Sequence, residues 1–145
     1  HHLDGQTIEE AEHQMATRLY QNNARVHFNQ DVEKNGRFGH RIVYGGYIIS
    51  LARAISCNGL ANAFRVAAIH AGRHSAPSFA GNTIYAWSEI LEKAEIPGRN
   101  DIGTLRVRTL ASKDSSQAVY PEKNAKDFPE NIVLDLDYTV LIPRR

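Results

Sequence analysis

Residues 47–56 limit the possible folds of this chain more than any other part of its sequence. They read YIISLARAIS, and at helical spacing the apolar side chains point almost all around the axis. A helix of this kind is buried on most sides, so the rest of the chain has to surround it. Asn58 and Gly59 follow, and such residues are typical of a helix end. The sequence therefore predicts one long buried helix that stops at Asn58 and Gly59.

The chain after this helix is rich in β-branched and aromatic residues. Residues 105–109 and 133–138 alternate between apolar and polar side chains, which is typical of an antiparallel sheet with one face in water. A polar segment at 113–129, predicted to be a variable surface loop, separates the last two strands. The predicted strands are residues 64–69, 84–91, 105–110 and 132–142.

These elements together predict an α+β fold. A curved antiparallel sheet that wraps around one long buried helix, the hot-dog fold, fits the order of the elements. Other α+β meanders fit the same pattern. All 145 residues suit a single compact domain.

The first twenty residues predict a second helix. Thr7 and Glu10 have the spacing of a capping box, in which both side chains satisfy free amides at a helix start. Apolar residues then recur at helical spacing on one face, and the helix is expected to end near Tyr20. These apolar residues are Ile8, Ala11, Met15 and Leu19. Because the helix opens so early, we expect the first strand of the fold to be missing from this chain.

The composition argues against several classes of protein. The net charge is +1 and the arginines are scattered, so no concentrated basic face for nucleic acid is expected. No apolar run approaches the roughly 18 residues of a membrane span. The single cysteine, Cys57, has no partner for an internal disulfide, which favours the reducing cytoplasm. Cys57 is interpreted as a small buried residue.

A group of residues near the start of the buried helix could carry out chemistry on a thioester. His27 lies in a polar loop, and Gly45 and Gly46 lie where unpaired amides and the positive end of the helix dipole converge. Tyr44 and Ser50 could add hydroxyl donors. Hydration of an unsaturated thioester needs fixed donors for the developing oxyanion and a group that moves protons, for which imidazole is well suited.

Each of these residues also has a purely structural interpretation. His27 could be exposed or structural, Gly45 and Gly46 could form a tight connection, and Tyr44 could be a core aromatic residue. His70 and His74 have the spacing of a metal pair only on a helix, and their segment is predicted as strand and turn. We therefore do not expect a metal site there.

Several sequence strings resemble the MaoC-like hydratase family. Residues 22–29 read NNARVHFN, residues 38–46 read FGHRIVYGG, and residues 75–83 read SAPSFAGNT. These are similar to the family's Asp-to-His loop, its Phe-Gly-x-x-Ile-x-His-Gly motif and the motif that opens a later strand. The strings SCNGLANA at 56–63, YAWSE at 85–89 and VLDLDY at 133–138 resemble a branch of the family that acts on mesaconyl-CoA.

The resemblance implies a hot-dog hydro-lyase that interconverts mesaconyl-CoA and β-methylmalyl-CoA. It implies that no metal or redox cofactor is used and that CoA enters as part of the substrate. It also implies two fused hot-dog modules, of which this chain is the second. We therefore expect either a homodimer or pairing with another hot-dog module.

The same resemblance assigns roles to the candidate residues. His27 takes the position of the catalytic histidine, and the amides of Gly45 and Gly46 polarise the thioester. Asn22 stands where the family has aspartate, and an amide cannot accept a proton, so Asn22 is expected to orient water or to hold the His27 loop. Tyr44 replaces the family's histidine. The candidates for binding an acyl carboxylate are Arg25, Arg41 and Arg53.

Two alternatives to hydration are left open by the sequence. A hot-dog thioesterase would need a carboxylate near the helix start, and none stands beside Gly45. A non-catalytic half would only build the dimer and the CoA tunnel.

Overall fold

A five-stranded antiparallel sheet forms the body of the protein in the computed structural model, which describes residues 1–116, 120 and 128–144. The strand order across the sheet is β1-β3-β4-β5-β2. The strands are β1 (His2–Thr7), β2 (Arg65–Arg73), β3 (Thr83–Glu95), β4 (Ile102–Lys113) and β5 (Ile132–Pro143). The four strands predicted from the sequence are confirmed as β2 to β5, and each is longer than predicted.

Helices occupy the first half of the chain. They are α1 (Glu10–Leu19), a 3-10 turn (Arg25–His27), α2 (Gln30–Glu33), α3 (Gly45–Ile55) and α4 (Cys57–Leu60). Among the described residues, no helix is long and apolar enough to cross a membrane.

The predicted central helix is α3, and its buried face packs against the sheet. Ile48, Leu51, Ala52 and Ile55 are buried in one core with side chains from β3, β4 and β5. The helix was predicted to be buried on most sides, and the structure agrees except for the side that carries Ser50 and Ala54, which are exposed. The predicted stop was wrong: α3 ends at Ile55, and Asn58 and Gly59 lie within α4. Cys57, expected to be buried, is exposed and free.

The outer face of the sheet carries paired charges. Arg106 makes two hydrogen bonds to Asp137, at 3.0 and 2.6 Å, and Arg108 makes two to Asp135, both at 2.8 Å. The neighbouring Val107 side chain points the other way and is fully buried. The alternation seen in the sequence therefore marks one wet face and one core face, as predicted.

The first strand is present, which corrects the expectation that the chain lacks one. Strand β1 pairs with β3, with Thr7 opposite Thr83. The predicted capping box does not form, because the Thr7 hydroxyl lies 2.9 Å from the hydroxyl of Thr83 in this pairing. The helix begins only at Glu10, whose carboxylate contacts His13 and Arg41.

The buried face of α1 is polar, contrary to the predicted apolar face. His13, Gln14 and Thr17 are buried, whereas Met15 and Leu19 are exposed. The Thr17 hydroxyl donates to the carbonyl of His13 at 2.8 Å, and the Gln14 amide nitrogen donates to the carbonyl of His27 at 2.7 Å. The side-chain oxygen of Gln14 is buried without a partner among the described residues. The apolar residues that recur at helical spacing in α1 therefore lie on an exposed face of the helix.

Most of the predicted polar loop at 113–129 lies outside the described residues. Strand β4 ends at Lys113, and the described residues are continuous again from Phe128.

We predict that Leu51→Ala lowers the free energy of unfolding by about 2–5 kcal/mol, because Leu51 is buried in the α3 contact with the sheet. Leu3→Ala is the matched control, since the Leu3 side chain is 75% exposed and its loss should cost less than about 0.5 kcal/mol. Urea unfolding measures both values. Equal costs for the two variants would contradict the assigned core.

Candidate active site

One cavity brings together the start of α3, the His27 turn and the segment that follows β2. Its volume is about 650 Å³, within the range of small-molecule sites. Its apolar lining includes Phe38, Ile42, Val43, Ile48 and Ile49, and its polar lining is His27, Tyr44, His74, Ser75 and Ser78. Gly45 and Gly46 also line it. The cavity is thus apolar over much of its wall, with polar groups from three separate segments.

Hydrogen bonds through both its side chain and its backbone hold His27 in place. Its Nδ1 atom lies 3.1 Å from the carbonyl oxygen of Ile42, and its own carbonyl accepts the 2.7 Å hydrogen bond from Gln14. A carbonyl oxygen can only accept, so Nδ1 carries the proton in this bond. The neutral ring therefore leaves Nε2 as an acceptor, which is the form required of a general base. The ring also packs edge-on against Tyr44, with centroids 5.8 Å apart.

The first turn of α3 presents backbone amides to the cavity. Tyr44 is the N-cap residue, and the helix begins with Gly45 and Gly46. Amides in the first turn of a helix have no partner within the helix and lie at the positive end of its dipole. Such amides can stabilise an oxyanion.

Glycine is required at both positions because aromatic rings approach the backbone closely. A Cβ atom at Gly45 would lie 2.5 Å from Nε2 of His74, and one at Gly46 would lie 2.6 Å from the ring of Tyr44. Neither distance is possible for a real side chain, so the sequence Gly45-Gly46 sets how near the rings and a ligand can come to α3.

His74 is a member of the site that sequence reasoning missed. His70 is exposed on β2 and contacts the hydroxyl of Thr139 at 2.7 Å, whereas His74 follows the end of β2 and lines the cavity. Burial lowers the pKa of His74, and a hydrogen bond to the backbone of Val133 opposes this shift. Within the part of the chain that the structure describes, no three potential metal ligands lie together.

Comparison with known proteins gives two close relatives of known name. The chain is 67% identical, over 99% of its length, to a beta-methylmalyl-CoA dehydratase from Chloroflexus aurantiacus. It is 48% identical, again over 99% of its length, to a mesaconyl-CoA hydratase from Cereibacter sphaeroides. It covers 41% and 40% of these proteins, so it spans well under half of their length. No family model matches the chain.

Solved structures show the same similarity. A putative MaoC domain protein dehydratase from Chloroflexus aurantiacus superposes with a TM-score of 0.94 at 67% identity, over 99% of this chain and 41% of that one. Over nearly its whole length the chain is similar to this dehydratase, and it has the hot-dog fold. A protein from Mycobacterium tuberculosis with a double hot-dog fold superposes with a TM-score of 0.68 at 25% identity, over 97% of this chain and 37% of that one.

The structure brings together four of the six candidate residues. His27, Tyr44, Gly45 and Gly46 line the same cavity of this hot-dog domain. The Ser50 hydroxyl instead donates to the carbonyl of Gly46 at 3.0 Å on an exposed face of α3, and Ser50 is not among the residues that line the cavity.

Asn22 lies outside the lining as well. Its side-chain oxygen accepts a 2.9 Å hydrogen bond from the amide of Ala24, directly before the turn that carries His27. This bond fixes the loop, which is the structural role that the sequence left open beside the orientation of water.

None of the three arginines proposed from the sequence lines the cavity. Arg41 pairs with Glu10 and donates to the carbonyl of Phe28. The Arg53 guanidinium lies over the ring of Tyr138, 5.1 Å from its centroid, and Arg25 is exposed.

We predict that Gly45→Ala lowers the free energy of unfolding by about 1–3 kcal/mol, because its Cβ would collide with the His74 ring. Gly72→Ala on β2 is the matched control: its Cβ would lie at an ordinary 3.5 Å from Leu136, so little change is expected. Thermal unfolding measures both. Equal stability of the two variants would show that His74 does not pack on Gly45.

Proposed function

We propose that this domain carries the proton-transfer and oxyanion groups of a hydro-lyase that reversibly adds water to an α,β-unsaturated acyl-CoA thioester. The proposed reaction converts mesaconyl-CoA to β-methylmalyl-CoA. The observation that carries the proposal is the shared cavity, which is lined both by a His27 ring with a fixed tautomer and by the first two residues of α3. The names of the two close relatives support the choice of substrate.

The chemistry assigns a step to each group. Nε2 of His27 takes a proton from water as the water oxygen bonds to the β-carbon. The electron pair of the double bond moves toward the thioester oxygen, where the amides of Gly45 and Gly46 stabilise the negative charge. The imidazolium then returns a proton to the α-carbon and restores the thioester carbonyl.

The lining of the cavity favours hydration over thioester hydrolysis. A hot-dog thioesterase would need a carboxylate as nucleophile or base, and none of the described residues that line the cavity is aspartate or glutamate. The proposed reaction uses no cofactor, because CoA is part of the substrate. The free thiol of Cys57 suits the proposed cytoplasmic location.

We predict that His27→Ala lowers kcat for hydration of mesaconyl-CoA by at least about 10²-fold, the usual contribution of a general acid/base. The measurement is the rate of loss of the enoyl absorbance, made in the natural full-length protein. A folded variant with near-normal kcat would contradict the assignment, and release of free thiol in place of hydration would favour the thioesterase.

Asn22→Ala is the comparison variant for this experiment. It removes one hydrogen bond that holds the loop, so it should cost less than His27→Ala, about one to two powers of ten in rate. Asn22→Asp keeps the accepting oxygen and should be tolerated. An inactive Asn22→Ala beside a merely slow His27→Ala would reverse the two roles.

We propose that the partner of this domain is a second hot-dog module, either within the same protein or from a second copy of the chain. Strand β2 lies at an edge of the sheet, and all but one of its residues are exposed. Phe64 and Ile69 are 57% and 64% exposed along this edge. Edges of this kind are seldom left uncovered in native proteins. This chain spans 41% of the length of the first relative, so the rest of that length can hold another module.

We predict that the isolated chain sediments at micromolar concentration as a dimer and that Ile69→Lys weakens this association. A charge at an apolar edge position opposes its burial against a partner. Val32→Lys, an exposed apolar residue on α2, is the control and should leave the association unchanged. A monodisperse monomer of the unsubstituted chain that also fails to bind a separately supplied second module would contradict the pairing.

A further inference from the structure

The segment that follows β2 adds three polar side chains to the cavity beyond those assigned to the reaction. They are His74, Ser75 and Ser78, and all three line the cavity together with the start of α3. We propose that they bind the free carboxylate of the acyl group and make the site selective for dicarboxylic acyl-CoA thioesters. This inference rests on the proposed hydration reaction.

The two serine hydroxyls lack hydrogen-bond partners. The Oγ atoms of Ser75 and Ser78 are buried, and neither has a partner among the described residues. Ser78 is only 3% exposed. A buried hydroxyl without a partner is costly, and such groups are uncommon in native proteins unless a ligand or water satisfies them. Both serines belong to one short segment that lines the cavity, and a carboxylate has enough lone pairs to accept from two hydroxyls.

The backbone of this segment is held firmly. The amide of Ser75 donates to the carbonyl of Val133 at 3.3 Å, and the carbonyl of Ser78 accepts from the amide of Val43 at 2.8 Å. Lys113 donates from Nζ to the carbonyl of Pro77 at 2.7 Å, which places a positive charge against the segment. The backbone that carries the two serines is therefore held in place, and the positive charge of Lys113 against this segment favours an anion.

His74 supplies the cationic group that the cavity otherwise lacks. Among the described lining residues, none is lysine or arginine, and His27 is engaged in proton transfer. Nε2 of His74 faces the backbone of Gly45, so the ring lies at the positive end of α3. Burial and the positive end of α3 both disfavour the charged ring, whereas a carboxylate within hydrogen-bond reach favours it, so the ring is expected to gain a proton only as the anion binds.

The shape of the substrate agrees with this placement. In mesaconyl-CoA a short conjugated chain separates the thioester carbonyl from the free carboxylate. If the amides of Gly45 and Gly46 hold the thioester oxygen, the carboxylate has to lie close to the start of α3. His74 touches that turn, whereas Arg25, Arg41 and Arg53 do not line the cavity.

The test compares two substrates in the natural full-length protein: mesaconyl-CoA and its amide analogue, in which a carboxamide replaces the free carboxylate. His74→Asn keeps a polar side chain of smaller size but removes the cation. We expect it to lower kcat/KM for mesaconyl-CoA roughly ten- to a hundredfold, the value of a charged hydrogen bond, and to change kcat/KM for the amide less than about threefold. His40→Asn is the matched control, because His40 is exposed and does not line the cavity.

Ser78→Ala provides a second, independent test that does not depend on the folding of the His74 variant. It removes a hydroxyl that has no partner, so the melting temperature should not fall. It should still lower kcat/KM for mesaconyl-CoA by about tenfold while leaving kcat/KM for the amide almost unchanged. A lower melting temperature with equal losses on both substrates would indicate a structural role and overturn the subsite.

The remaining outcomes separate this inference from the proposed function. If the unsubstituted protein hydrates mesaconyl-CoA and the amide equally well, or if both variants lose equal activity on both substrates, the carboxylate subsite is wrong while the hydratase stands. If the unsubstituted protein hydrates neither substrate, the proposed function fails and the subsite fails with it.

Discussion

The burial of one face of α3 against the sheet determines where the chemistry of this domain can occur. Ile48, Leu51, Ala52 and Ile55 fix the helix on the strands, so its first turn has little freedom to move. The rings of Tyr44 and His74 then pack directly on that turn, which only glycine at positions 45 and 46 permits. The amides that can polarise a thioester are therefore positioned by core packing, with no contribution from a mobile loop.

The polar face of α1 has a related function. Burial of Gln14 beside the His27 turn costs solvation, and the hydrogen bond to the carbonyl of His27 offsets that cost while it fixes the turn. The helix therefore holds the His27 turn with its polar side. Its apolar residues, Met15 and Leu19, are left in solvent by this chain alone. The same orientation that stabilises the site thus leaves a surface suited to a neighbouring module.

The apolar periodicity of the sequence identified elements that bury an apolar face, and it failed for β1 and α1, which do not. Strands β3 to β5 and helix α3 were predicted because one face of each is apolar, whereas β2 was predicted from its composition alone and is almost wholly exposed. Strand β1 was missed because HLDGQT contains a single large apolar residue, Leu3, and that residue is exposed. The buried face of α1 was assigned incorrectly. The spacing of Met15 and Leu19 shows only that one face is apolar, and a partner outside the chain can bury such a face as well.

The candidate site was partly predictable for a similar reason. His27, Gly45 and Gly46 are close in sequence to the helix that organises them, so their proximity could be inferred from the chain itself. His74 lines the same cavity from the end of an edge strand. The order of the strands cannot be inferred from local sequence, so this position could not be predicted. Asn22 keeps its place before the turn, but its hydrogen bond to the amide of Ala24 assigns it to the loop.

The asparagine at position 22 has a consequence for how protons move. Where a carboxylate and an imidazole are both present, one can activate water while the other protonates carbon. With an amide at position 22 and no aspartate or glutamate among the described residues of the cavity lining, the proposed reaction assigns both steps to His27 in turn, unless a carboxylate comes from elsewhere in the full-length protein. The imidazolium formed by the first step is the acid needed for the second, so no proton has to be exchanged with solvent between them. Because the ring is held through Nδ1, the proposed reaction uses the same Nε2 atom at both carbons of the double bond, and we expect it to add water and proton from one face of the substrate.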